Sequence, residues 1–105
     1  MDIRFVYMTT GSPAEARAIG RELVESGLAA CVNILPGMQS IYRWEGKIEA
    51  ADEVVVIAKT TASRVPELTA KVKSLHSYEC PCVVSLKVEG GHQPFLDWIA
   101  ANVSS

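Results

Sequence analysis

The sequence predicts an α+β domain: one antiparallel sheet with helices laid against it, in the order β-α-β-β-α-β-α. Three observations predict it. Two helical patterns separate strand-like runs, and a long β-branched segment doubles back at Glu45-Gly46. The third is length, because 105 residues have room for a single core, so residues 1–105 read as one domain.

Composition narrows the class. At 49% hydrophobic and 21% charged, the chain is globular rather than disordered. A net charge of −2 leaves no electrostatic footprint for nucleic acid or an anionic membrane. No apolar run approaches the roughly 20 residues of a membrane span. The opening MDIRFVYM lacks the flanks of a signal peptide. Three cysteines beside no export signal are expected to be reduced thiols in the cytoplasm.

The elements follow in order. DIRFVYMTT, residues 2–10, reads as a strand. Ser12, Pro13 and Glu15 form a helix start with a capping box. Ala16, Ile19, Leu23 and Val24 make its apolar stripe, Arg17, Arg21 and Glu25 its solvated side, and Gly27 its stop. Leu28 to Leu35 is a nearly unbroken apolar run and predicts a buried strand. Pro36-Gly37 predicts a bulge, since proline cannot donate to a ladder. MQSIYRW then runs out to the Glu45-Gly46 turn, and KIEAADEVVVIAKT returns as a long strand. The second helix spans about 63–75, with Val65, Leu68, Val72 and Leu75 as its stripe and Glu67–Lys71 as an i,i+4 pair. Residues 82–88 predict the last strand. A short C-terminal helix follows Gly90-Gly91, with Phe95, Trp98, Ile99 and Val103 on its apolar side.

Two βαβ halves joined by a hairpin give the ferredoxin-like sandwich, with a C-terminal helix added. Helices on one face of such a sheet leave the other to alternate to polar residues. Here both parities of residues 28–35 and 54–58 are apolar, and strand one carries Phe5 and Tyr7 on one side, Val6 and Met8 on the other. A face of that kind exceeds what soluble monomers expose. The expectation is an oligomer.

GLAACVNILPGMQSIYRWEGKIE, IAKTT, HSYECP and FLDWIA, taken in that order, resemble the CutA family of divalent-cation-tolerance proteins over nearly the whole chain. The resemblance implies a PII-like homotrimer whose hairpins extend the neighbouring sheets, with a link to tolerance of copper and other divalent metals and no assigned enzymatic activity. It also implies an intersubunit cleft lined by residues matching Cys31, Asn33, Trp44, Lys59, Tyr78 and Glu79. The copper site it implies uses a cysteine near the end of strand one and two adjacent histidines. Thr9 and Leu75 occupy two of those positions, so His76 alone is left as the metal ligand and copper is expected to bind weakly. The alternative is a PII-like signalling protein that holds a small anionic metabolite or nucleotide in the cleft.

The stretch HSYECPC concentrates the question. Parity places Cys82 with Val84 and Leu86 on an apolar face, where a free cysteine is ordinarily core. On spacing alone His76 reads as a helix C-cap ahead of a ligand, and the resemblance shifts it toward a site. Lys59, ending a buried strand, needs a partner such as Glu79, and an ion pair at a trimer joint stands level with a ligand site. The expectation is a site over His76, Tyr78 and Glu79, and core at Cys82. The TTGSP turn is a weak anion cradle. It lacks the C-x-x-C of soft-metal chaperones of this fold, and no strand has the aromatics and basic flanks of an RNA-recognition domain.

Overall fold

The structure, a computed structural model, describes residues 2–104. β1 (Ile3–Thr10) leads through a turn into α1 (Pro13–Glu25), then β2 (Cys31–Trp44) and β3 (Lys47–Thr61). A 3-10 turn (Ala62–Arg64) opens α2 (Val65–Leu75), and β4 (Val83–Lys87) and α3 (Gln93–Ala101) complete the chain. The four strands form one sheet in the order β2-β3-β1-β4 with every pairing antiparallel. This is the ferredoxin-like arrangement.

Local chemistry sets the ends. The Ser12 hydroxyl accepts the Glu15 N–H at 3.1 Å, half of the expected capping box. Glu15 sends its own carboxylate elsewhere, to the N–H of Gly11 at 2.9 Å. At the other end of α1 the amides of Leu28 and Gly27 donate back to the carbonyls of Leu23 and Val24, with Gly27 at φ 76°. That closure of the helix needs glycine in the left-handed region. It also explains why β2 starts at Cys31: the amides of Leu28 and Ala29 are both spent on the Leu23 carbonyl.

The main core lies between the sheet and α1 and α2. Val6, Met8, Val54, Val56 and Ala58 meet Ile19, Leu23, Leu68 and Val72 there. Gly20 brings α1 close to β2, since a Cβ on it would lie 2.8 Å from Val32 Cγ2. Val24 and Leu75, expected in the helix stripes, are exposed because they fall at the ends where the helices leave the sheet. Lys71 pairs with Glu22 of α1 at 3.3 Å, and Glu67 takes Arg64 instead, so the expected Glu67–Lys71 pair gives way to contacts between elements.

The second face is only partly covered. α3 packs Ile99 against Ile3 and Ala30, with Phe5 beside them, and so caps one end of the face opposite α1 and α2. Phe95 and Trp98, expected on its buried side, are exposed and stack on each other at 5.8 Å between centroids. The remainder of that face carries Leu35, Val84 and Leu86 at 47, 48 and 53% exposure.

The β2–β3 hairpin reaches past the sheet. The β1–β3 register ends at Thr10 opposite Val54, while β2 and β3 stay paired out to Trp44 opposite Lys47. The ladder shifts between Leu35 and Met38, where Pro36-Gly37 was expected to bulge. Glu45 and Gly46 close the tip at φ 50° and 80°, as a two-residue hairpin turn requires. The arm is apolar in places with nothing against it: Ile41 is 79% exposed and Ile48 62%.

Candidate functional site

On the open face, the hairpin arm and the loop between α2 and β4 enclose a cavity of about 700 Å3. Tyr7 and Thr9 form its floor from β1. One wall is Gln39, Ser40, Ile41, Tyr42 and Trp44 from β2, with Glu53 from β3. Tyr78, Glu79, Cys80 and Cys82 make the other. The volume falls in the range of small-molecule sites, and the lining combines four aromatic rings with polar groups from Thr9, Gln39, Ser40, Glu53 and Glu79.

Of the residues expected in a cleft, the structure brings Trp44, Tyr78 and Glu79 together here. Cys31, Asn33 and Lys59 lie elsewhere, because the ladder sets Cys31 opposite Lys59 and Asn33 opposite Ile57, beyond the Pro36-Gly37 bend. Cys31 borders a separate groove with Gly20, Arg21 and Val24. Lys59 is 6% exposed and makes no ion pair among the described residues, with Glu79 or any other carboxylate. Its ammonium lies 5.6 Å from the Phe5 ring centroid instead.

His76 stands behind the cavity and lines none of it. Its side chain is fully buried. Nε2 lies 2.7 Å from the Thr9 carbonyl oxygen and donates to it, which leaves Nδ1 to accept the Tyr78 N–H at 3.0 Å. Both ring nitrogens are thus occupied in a single consistent tautomer. A metal ligand needs a free nitrogen lone pair, and in this arrangement both His76 nitrogens are hydrogen-bonded. Among the described residues no group of three or more His, Cys, Asp or Glu side chains is placed to hold a metal ion.

A carboxylate network fixes the loop. Glu15 takes the Ser77 N–H at 2.7 Å as well as that of Gly11, and so ties the start of α1 to the end of α2. Burial pushes the Glu15 carboxyl up, but the donors on Gly11 and Ser77 overcome it and hold it below its ordinary value. The same contacts leave the TTGSP turn little for an anion, since the Gly11 amide is already taken. On the cavity side, the Tyr78 hydroxyl donates to Glu53 at 2.9 Å. Burial, then that hydrogen bond and the charges of Glu53 and Glu15, push the Tyr78 phenol up to about 12.

Cys82 corrects the expected division of HSYECPC. It is half-buried and faces the cavity rather than the core, and burial pushes its thiol up. Cys80 is exposed at the mouth. The stretch is therefore structural at His76 and open to the cavity from Tyr78 to Cys82. Sequence reasoning missed Tyr7, Thr9, Tyr42 and Glu53. Alternation put Tyr7 and Thr9 on one side of β1 and Val6 and Met8 on the other, but only the packing of Val6 and Met8 under the helices shows which side is open. Tyr42 and Glu53 were not legible, because they reach the site only through the bend of the arm.

Residues 4–102 match the family described as CutA1 divalent ion tolerance protein. The chain belongs to this family. A divalent-cation tolerance protein CutA of Archaeoglobus fulgidus is 46% identical over 99 residues, which cover 94% of this chain and 96% of that one. The solved CutA1 of Thermus thermophilus superposes at a TM-score of 0.95 with 42% identity, covering 97% of this chain and 99% of the other. The solved A. fulgidus protein, described as periplasmic, gives 0.94 at 45% identity over 97 and 99%. The CutA fold expected from the sequence is thus confirmed, and with it a family whose members are named for divalent-metal tolerance. No helix among the described residues is long and apolar enough to cross a membrane.

Proposed function

We propose that this CutA-family chain works as a homotrimeric, non-enzymatic binding protein in the cytoplasmic response to divalent metals, with the cavity opening at the joint between copies. One observation carries the assembly. The uncovered sheet face holds Leu35, Val84 and Leu86 beside a buried Lys59 that has no carboxylate partner among the described residues. An apolar surface of that kind is costly in water, and a buried ammonium costs more still unless a neighbour supplies its partner. Three free cysteines agree with a reducing compartment.

The metal link is weak binding rather than a resident site. Copper(II) is held no more tightly than about micromolar, near −8 kcal/mol, because His76 is engaged on both nitrogens. The binding, non-enzymatic role has the same support, since a histidine held on both sides is poorly placed to move a proton. The PII-like alternative with an anionic ligand meets a cavity wall that carries Glu53 and Glu79 and no basic side chain.

Sedimentation equilibrium tests the assembly. The wild-type chain should remain a trimer at micromolar concentration, and Ile57→Asp, on the uncovered face opposite Tyr7, should yield monomers. Val56→Asp should instead unfold the chain, because Val56 is fully buried under the helices. A folded wild-type monomer at that concentration refutes the proposal.

A further inference from the structure

We propose that the cavity between the hairpin arm and the 78–82 loop is a binding site for a small organic cation, a quaternary ammonium or protonated amine of about the size of choline. It rests on the cavity remaining an open cleft when copies assemble, and it goes beyond that in naming the ligand class.

Charge comes first. Glu53 and Glu79 face the cavity, and no lysine, arginine or histidine lines it. One Glu53 oxygen is held by the Tyr78 hydroxyl at 2.9 Å, which leaves the other available. Two carboxylates in a half-enclosed space repel an anion and attract a cation.

The walls decide which kind of cation. Tyr7, Tyr42, Trp44 and Tyr78 put four aromatic rings around the cavity. Ring faces are electron-rich and attract a cation within about 6 Å of their centroids, most strongly where water is displaced. A bare metal ion needs converging ligand atoms, which the described residues do not provide. A cation with an apolar shell of its own needs aromatic surface with negative charge nearby, and both line the cavity. Trp44 and Tyr42 are 50 and 43% exposed, so both rings have surface left to cover.

The test is a comparison of three near-isosteric probes by Trp44 fluorescence, in a Trp98→Phe background that leaves Trp44 the sole tryptophan. The probes are choline, the neutral 3,3-dimethylbutan-1-ol and the anionic 3,3-dimethylbutanoate. Choline should bind at least about tenfold more tightly than the neutral alcohol, and the anion least. Glu53→Gln combined with Glu79→Gln keeps an acceptor for Tyr78 and removes both charges. It should lower the choline-to-alcohol ratio by about threefold or more, the rings keeping the remainder of the preference, while melting temperature and sedimentation stay unchanged. Equal binding of choline and the alcohol overturns the proposal. Tighter binding of the anion overturns it too, and would mean that a basic side chain of a neighbouring copy enters the cleft. A folded protein that binds none of the three overturns it, whatever its oligomeric state. A monomer that still prefers choline supports this inference while refuting the trimer.

Discussion

His76 Nε2 lies 2.7 Å from the carbonyl oxygen of Thr9, 67 residues away in sequence, and this bond fastens the end of α2 to the end of β1. The ring is fully buried, and its other nitrogen holds the Tyr78 amide. His76 therefore sets where the loop over the cavity begins.

His76→Ala should cost stability rather than metal affinity. It strands the Thr9 carbonyl and the Tyr78 N–H, a penalty of about 1–3 kcal/mol for groups left unpaired. Urea unfolding should show that loss, and calorimetry with copper(II) should show no change in affinity. A variant of full stability that has lost copper would make His76 a ligand after all.

Tyr78 gives an alkaline signature. Its phenol is pushed up to about 12 from an ordinary 10.0, so the folded state favours the protonated form. The stabilisation is whole below pH 10 and is lost as pH rises through about 12. Wild-type urea midpoints should fall across that window by more than those of Tyr78→Phe, which lacks the titrating group. Parallel curves for the two proteins would show that the hydroxyl is not held by Glu53.

Glu15 gives the opposite signature in acid. Its carboxyl lies below its ordinary value, so its contribution is present at neutral pH and is lost as pH falls through that lowered value. Glu15→Gln should be less stable than wild type at pH 7, with the gap closing in acid below about pH 4. A gap that stays constant down to pH 2 would rule out the charge-assisted bonds to Gly11 and Ser77 as its source.

The three thiols should separate kinetically. Cys80 is exposed, whereas Cys31 and Cys82 are half-buried, and burial holds the Cys82 thiol up. A maleimide reagent at pH 7 should label Cys80 first and Cys82 more slowly, since the thiolate is the reactive form. Mass spectrometry of partly labelled protein reads the order directly. Cys82 reacting as fast as Cys80 would contradict its burial.

Much of the fold was legible because its signals are local. Ser12 and Gly27 mark the ends of α1, Pro36-Gly37 the bulge and Glu45-Gly46 the turn, each through backbone chemistry confined to a few residues. Side-chain alternation separated Val6 and Met8 from Phe5 and Tyr7, and the structure sets the first pair against the helices and Tyr7 on the other face. The uncovered apolar face was readable on the same grounds.

Tertiary structure decided the site. The bend at Pro36-Gly37 sets how the arm lies over the sheet, so it determines that Tyr42, Trp44 and Glu53 meet Tyr78 while Asn33 and Lys59 do not. Parity put Cys82 on the right face but could not tell core from cavity, because that depends on what closes over it. His76 was ambiguous for a similar reason. A histidine after a helix becomes ligand, cap or fastener according to the groups that reach its two nitrogens, and here those groups are the Thr9 carbonyl, 67 positions away, and the Tyr78 amide. Local sequence determines backbone conformation within a few residues, whereas a site is made where distant segments converge.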